Sequence, residues 1–132
     1  MKLNRTLAYG LVCLYRLGQE GQNRPWVQTG DIALKENLPK AYCNKVMQAL
    51  VRAGLARSVR GKGFRLARPL EKISVWDVME AFTFNSAPKL KKPELSFILY
   101  ESLRDQVNRW LVGLTLEDVV QMAREQEKIK GD

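Results

Sequence analysis

At 132 residues and 45% hydrophobic content, the chain is long enough for one compact core and carries a formal charge of +8. No run of about eighteen apolar residues is present to span a membrane. Two cysteines are too few for a disulfide framework, and the absence of histidine removes every nucleophile–base set built on imidazole. The charge is uneven. Residues 1–72 hold fourteen Lys/Arg against four Asp/Glu, a net of +10, while residues 73–132 hold eight against ten, a net of −2. A basic half joined to a near-neutral half suggests a nucleic-acid module attached to something else. The N-terminus leads into an amphipathic segment without a signal-peptide cleavage pattern, so a cytoplasmic protein with reduced thiols is expected.

Helix one is predicted from Arg5 to Leu17, with Leu7, Leu11, Leu14, Tyr15 and Ala8 on its core face and Gly18 as its stop. Residues Gln19 to Gln28 are polar, contain Gly21 and Pro25, and read as a connecting loop. Thr29 is an expected N-cap for helix two, with Asp31 in the first turn, Ile32 and Leu34 as apolar positions and an end near Asn37. After a three-residue turn, Pro39 suits the first position of helix three and Gly54 the residue just past its end. Val46, Met47, Leu50 and Val51 form its apolar stripe. Lys40, Tyr42, Asn44, Lys45 and Gln48 are expected to face outward, mostly in the first two turns, where a recognition helix meets base edges.

Ala56–Val59 and Phe64–Leu66 alternate like half-buried strands around the turn Arg60-Gly61-Lys62-Gly63. Arg57, Arg60, Lys62, Arg65 and Arg68 place five cations within twelve residues. A polar helix face alone is ordinary solvated surface, and a basic hairpin alone is a solubility device. In succession they read as a helix-turn-helix with a basic wing, and the expected partner is double-stranded DNA.

Ser74 and Asp77 have the spacing of a capping box for a fourth helix with Val75, Val78, Met79 and Phe82 in the core. Residues Asn85 to Pro93 hold two prolines and three lysines and read as a loop. Pro93 then opens a long helix to about Gly113, and Thr115-Leu-Glu-Asp118 caps a last helix. The long helix has more apolar positions than one stripe needs. Leu99, Leu103, Val107 and Trp110, at intervals of four, four and three, are expected to form the seam of a homodimer. The chain thus divides into a winged domain at 1–83, a loop at 84–93 and a dimerisation and C-terminal segment at 94–132. The fold class is mainly α with a small β-hairpin.

Taken together, Tyr42 in helix three, the run Ala53-Gly-Leu-Ala-Arg-Ser-Val-Arg-Gly61, Ile73-Ser-Val-Trp-Asp-Val78 with Glu80-Ala81, and Leu114-Thr-Leu-Glu-Asp-Val119 resemble the bacterial Rrf-two-type winged helix-turn-helix transcriptional regulators. The resemblance covers nearly the whole chain. It implies a dimeric regulator, expected to be a repressor, on a palindromic operator, with helix three in the major groove and the wing in the minor groove. By position it implies DNA contacts from Lys40, Ala41, Tyr42, Asn44, Lys45 and Arg60; Lys62, outside that carry-over, is expected to add a phosphate contact. It also implies that Glu94–Leu111 is the dimerisation element.

Two departures matter. Cluster-binding members of that family carry three cysteines in and beside the loop before the long helix, often with a histidine just inside it. Here 84–97 contains no cysteine, and Glu94 and Phe97 stand where the last cysteine and the histidine belong. Iron–sulfur chemistry needs thiolate or imidazole donors, so no cofactor and no metal is expected. The wing turn Gly61-Lys-Gly-Phe64 is also shorter than the family's usual glycine-rich version. For the signal, Cys13 reads as core. Cys43, next to Lys40 and Lys45 near a helix N-terminus, reads either as a space-filler or as a thiol of depressed pKa. Trp76 and Trp110 read as core, with a ligand pocket as the alternative, and an unknown small-molecule or protein effector stays open.

Enzymatic readings find no catalytic set and no glycine-rich phosphate loop before a helix. The competing class is a protein–protein adaptor that keeps the winged scaffold without operator binding. RNA binding by base stacking lacks the exposed aromatics it needs in the basic half.

Overall fold

The computed structural model describes residues 5–84 and 94–130. Spacing of apolar residues along α1 (Arg5–Glu20) puts Leu7, Cys13, Leu14 and Leu17 on one buried side. That side packs across α3 (Lys40–Arg52), whose buried residues are Cys43, Val46, Met47 and Leu50. α1 runs past Gly18, contrary to the expected stop. Gly18 instead lies under Leu70, where a Cβ would come within 2.8 Å of Leu70 Cδ1.

Next to α3 comes α2 (Thr29–Glu36), between α1 and α3 in the chain, with Ile32 and Ala33 buried. Leu34 is 83% exposed rather than a core residue, because it sits on the opposite side of the helix from Ile32. Thr29 is not the N-cap. Gln28 occupies that position without a side-chain cap, and Thr29 is buried inside the first turn with no partner for its hydroxyl among the described residues. Asn37 ends α2 in the left-handed conformation, and Leu38 N–H donates to Ala33 O at 2.8 Å. Pro39 precedes α3 as its N-cap rather than filling its first turn. At the other end, Gly54 has φ +78°, with Gly54 N–H donating to Val51 O and Leu55 N–H to Leu50 O. This Schellman arrangement turns the chain sharply into the hairpin.

Strand β1 (Ala56–Val59) pairs antiparallel with β2 (Gly63–Leu66), in a register that sets Ala56 opposite Leu66 and Val59 opposite Gly63. The stretch read as a plain loop supplies a third edge. Val27 forms an isolated bridge with Phe64, with N–H to O distances of 2.8 Å in both directions. A 3-10 turn (Leu70–Lys72) leads to α4 (Val75–Met79), which continues as a π-helical turn (Glu80–Phe84). The expected Ser74/Asp77 capping box is present, at 3.1 Å in each direction. Trp76 is buried in α4, with the Arg104 guanidinium 5.3 Å above its ring.

The expected loop Asn85–Pro93 lies outside the described residues. Helix α5 (Leu95–Leu111) follows with Glu94 as its N-cap. Only its C-terminal half is well packed: Val107 is buried, and Arg104 pairs with Glu80 at 3.3 Å. Thr115 and Asp118 form the expected reciprocal cap on α6 (Leu116–Lys130). The α5–α6 turn is stitched to the start of α4, with Val75 N–H donating to Leu114 O and Leu116 N–H to Ile73 O. Leu116 and Val120 thereby join the same core as α1 and α3. No helix among the described residues is long and apolar enough to cross a membrane.

Candidate nucleic-acid interface

The exposed face of α3 and the wing form the two walls of one cleft. Lys40, Asn44 and Gln48, three successive turns of α3, line one wall; Ser58 and Arg60 of the hairpin line the other. All five are exposed, as are Ala41 and Lys45. The spacing of four that puts Lys40, Asn44 and Gln48 on one line follows from helical geometry. Asn44 offers an amide suited to a base edge, while Lys40 and Lys45 offer mobile charges suited to phosphate.

Tyr42 departs from this face. Its hydroxyl lies 2.6 Å from Thr6 Oγ1, and its ring meets the Tyr9 ring edge-on with centroids 5.1 Å apart. It is turned toward α1, so the expectation that it stands free beside Asn44 is corrected. Cys43 is also turned inward. Both cysteines have no exposed surface, and Cys13 Sγ and Cys43 Sγ are 3.7 Å apart. Burial pushes the Cys43 thiol up, with the Cys13 hydrogen bond opposing it in part. Lysine charge outside the core therefore does not make a reactive thiolate of Cys43, and the depressed-pKa reading is corrected.

The wing is tied at its tip turn and along β2. Gln28 Nε2 donates to Lys62 O at 2.8 Å, and the Arg65 guanidinium lies 5.0 Å over the Trp26 ring. Arg68 is engaged at the root of the wing by Asp77 at 2.9 Å and by Lys72 O. Arg60 and Lys62 are exposed at the tip, and Arg57 is exposed further down β1, opposite Arg65. The tip turn closes with Lys62 N–H donating to Val59 O at 3.0 Å. Gln28 and Ser58 were missed in the sequence. The role of Gln28 depends on pairing across more than thirty residues, for which no local pattern exists.

A model of the Rrf2 family, described as iron-dependent transcriptional regulators, matches residues 3–122. The chain belongs to the Rrf2 family. It is a DNA-binding transcriptional regulator and not an enzyme. Among relatives of this Rrf2 regulator, a protein called aau3 from Rhizobium meliloti is 30% identical over 91% of the chain and 85% of its own length. IscR from Cereibacter sphaeroides is 35% identical over 61% of the chain and 54% of that protein. Two solved structures superpose over most of the fold. CymR, the global cysteine regulator of B. subtilis, is 26% identical with TM-score 0.67, covering 92% of this chain and 97% of that one. T. potens IscR is 26% identical with TM-score 0.69, covering 96% and 91%. The likeness to both regulators agrees with the expected winged helix-turn-helix fold.

The family description raises iron, and the donor set does not fit an iron–sulfur cluster. The whole sequence offers no histidine and only Cys13 and Cys43 as thiols. Those two face each other inside the α1–α3 interface. Among the described residues, no three His, Cys, Asp or Glu side chains are grouped as a metal would need.

The expected dimer seam divides in two. Leu103 and Trp110 are 57% and 69% exposed, and Leu99, Leu95 and Ile98 are exposed as well, whereas Val107 is only 7% exposed. At about 100° per residue, Leu95, Leu99, Leu103 and Trp110 fall within about 80° of one another around α5, while Val107 lies about 40° beyond that arc. Val107 packs against its own protomer, and its placement with the other three is corrected.

Proposed function

We propose that this regulator acts as a homodimeric repressor on a palindromic operator. The observation that carries the reading is the single cleft made by Lys40, Asn44 and Gln48 of α3 and by Ser58 and Arg60 of the wing. A duplex seated there meets an amide at base-edge height and cations on both flanks, the division of labour by which base contacts specify and phosphate contacts position. In this reading α3 enters the major groove, Asn44 reads a base, and Lys40, Ala41 and Lys45 set the helix against the backbone. Arg60 and Lys62 follow the neighbouring groove. Tyr42 holds α3 in place from behind through Thr6.

The exposed row Leu95, Leu99, Leu103 and Trp110 supports the two-fold half of the proposal. Contiguous large apolar surface is costly to leave in water and marks an association site. A second α5 related by a two-fold axis covers it with an identical row and sets two recognition helices on paired half-sites. Such a dimer occupies a promoter, and occupancy that excludes polymerase represses.

Selection of bound sites from a random duplex library tests this directly. A palindromic consensus with half-sites one helical turn or a multiple apart is expected. Binding without any sequence enrichment, equal on random DNA, would overturn the operator reading in favour of an adaptor. Transcription in vitro from a promoter carrying the selected site should fall as the protein is added, and a rise would overturn repression.

A further inference from the structure

Both cysteines of the chain lie at the crossing of α1 and α3, and they lie together. Their sulfur atoms are 3.7 Å apart, in van der Waals contact, and neither side chain has exposed surface. They come from positions thirty residues apart on two different helices, so their meeting is a property of the fold. Cys43 is flanked in sequence by Tyr42, which locks α3 to α1, and by Asn44, which faces the DNA cleft.

We propose that Cys13 and Cys43 form a two-electron redox site in which a hydroperoxide converts the dithiol to a disulfide, moving the recognition helix and releasing specific DNA. The proposal rests on the operator reading above for its DNA half and on the cysteine geometry alone for its chemical half.

The chemistry balances with a hydroperoxide as the only co-reactant. Taking Cys43 first, its sulfur, ionised to the thiolate once α1 and α3 part locally, attacks the distal peroxide oxygen. The O–O bond breaks, an alcohol or water leaves with a proton, and Cys43 becomes a sulfenic acid. Cys13 sulfur then attacks Cys43 sulfur, the S–O bond breaks, and the leaving hydroxide takes the Cys13 proton as water. The two sulfurs lose two electrons in all and the peroxide gains them. Burial pushes both thiols up, and either sulfur of the contact can act as donor, so either one can lead and the same disulfide results.

Burial sets the rate. With both thiols pushed up and covered, the closed protein is unreactive, and oxidation proceeds through local parting of α1 from α3. The Thr6–Tyr42 hydrogen bond and the Tyr9–Tyr42 contact hold that seam shut. Once the disulfide closes, the sulfurs must contract from 3.7 Å to about 2.05 Å. The displacement, roughly 1.6 Å at the sulfurs, falls one residue from Asn44. The part of that contraction that side-chain rotation does not absorb passes into the α3 backbone, and a paired hydrogen bond to a base edge weakens steeply with misalignment.

Full-length protein, reduced and then exposed to hydrogen peroxide, is denatured in an alkylating reagent for intact mass and peptide mapping, with duplex binding measured alongside. Wild type should lose two hydrogens, resist alkylation and yield the 13–43 cross-linked peptide. Its affinity for the selected duplex should fall at least tenfold and return with dithiothreitol, with random-duplex affinity little changed. Cys13→Ala and Cys43→Ala should form no intramolecular disulfide and should not show the reversible loss. Tyr42→Phe should oxidise faster. If either alanine variant fails to fold, wild-type mapping and dithiothreitol reversal still decide. Oxidation only to sulfinic acids or to intermolecular disulfides would overturn the proposal, as would a mapped 13–43 disulfide with unchanged affinity. A reduced protein that selects no duplex overturns the operator reading instead, and the mass readout still decides the disulfide.

Discussion

Alanine placed at the two glycines of the wing should separate backbone strain from a steric lock. Gly61 and Gly63 both have positive φ, +83° and +118°. A Cβ at Gly61 meets nothing within 4 Å, whereas a Cβ at Gly63 lands 2.4 Å from Val27 O and 2.8 Å from Val27 C. Gly61→Ala therefore carries only the cost of a left-handed L-residue, about 1–2 kcal/mol. Gly63→Ala carries a comparable strain and in addition pushes Val27 off β2. That breaks the two 2.8 Å bonds between Val27 and Phe64, each worth about 1 kcal/mol, and opens buried Val27 to water. The sum is about 3–5 kcal/mol, a large fraction of a small domain's stability. Urea unfolding followed by tryptophan fluorescence measures both variants, and duplex binding at a temperature where both are folded reads the wing. A gap under about 1 kcal/mol between them would refute the lock at Val27.

Asn44→Ala is expected to lose about 1–3 kcal/mol on the selected duplex and little on random DNA, measured by titration at fixed salt; equal losses would remove it as a base reader. Tyr42→Phe should cost about 0.5–1.5 kcal/mol of stability through the Thr6 hydrogen bond while leaving the order of preferred sequences unchanged, and a changed order would return Tyr42 to the reading face. Leu103→Glu should leave a folded monomer by sedimentation, since Leu103 is exposed in the protomer, whereas Val107→Glu should unfold the chain by burying a lone carboxylate at a cost of several kcal/mol. A Leu103→Glu protein that still dimerises would place the interface elsewhere. The Lys35 hydrogen bond holds the Glu20 carboxyl below its ordinary value, so whatever stability the contact gives is present above that range and lost as pH falls through the folded pKa. Lys35→Met should return the Glu20 NMR titration toward about 4.5, and an unmoved titration would count against Lys35 as the cause.

Local patterns carried most of the fold. The α3 stripe, Gly54 just past its end, and the Ser74/Asp77 and Thr115/Asp118 caps are written within a few residues of where they act. What escaped depends on distant partners. Val27 looks like loop because its neighbours are polar, and only Phe64 makes it a strand residue. Gly18 looks like a helix stop until Leu70 needs the space, and Tyr42 looks outward-facing until Thr6 and Tyr9 take it. A helical repeat gives the angle of a side chain around its own axis; what waits at that angle is set by another part of the chain.

The split of α5 shows the same limit at work on function. Intervals of four, four and three group Leu99, Leu103, Val107 and Trp110, yet an arc of about 80° is wide enough to straddle the boundary between a protomer's own core and its outside surface. Arg104, over the Trp76 ring and paired with Glu80, fixes α5 to α4 and the turn that follows it, while Leu99, Leu103 and Trp110 stay exposed. The α5–α6 turn is tied to α4 at Val75 and Leu116, so the exposed row is held in a set orientation to the domain that carries α3. Half-site spacing on DNA demands such a fixed orientation, because two recognition helices must fall one turn or a multiple apart. If the proposed dimer forms through that row, the backbone ties between it and the reading cleft would set the spacing of the two recognition helices.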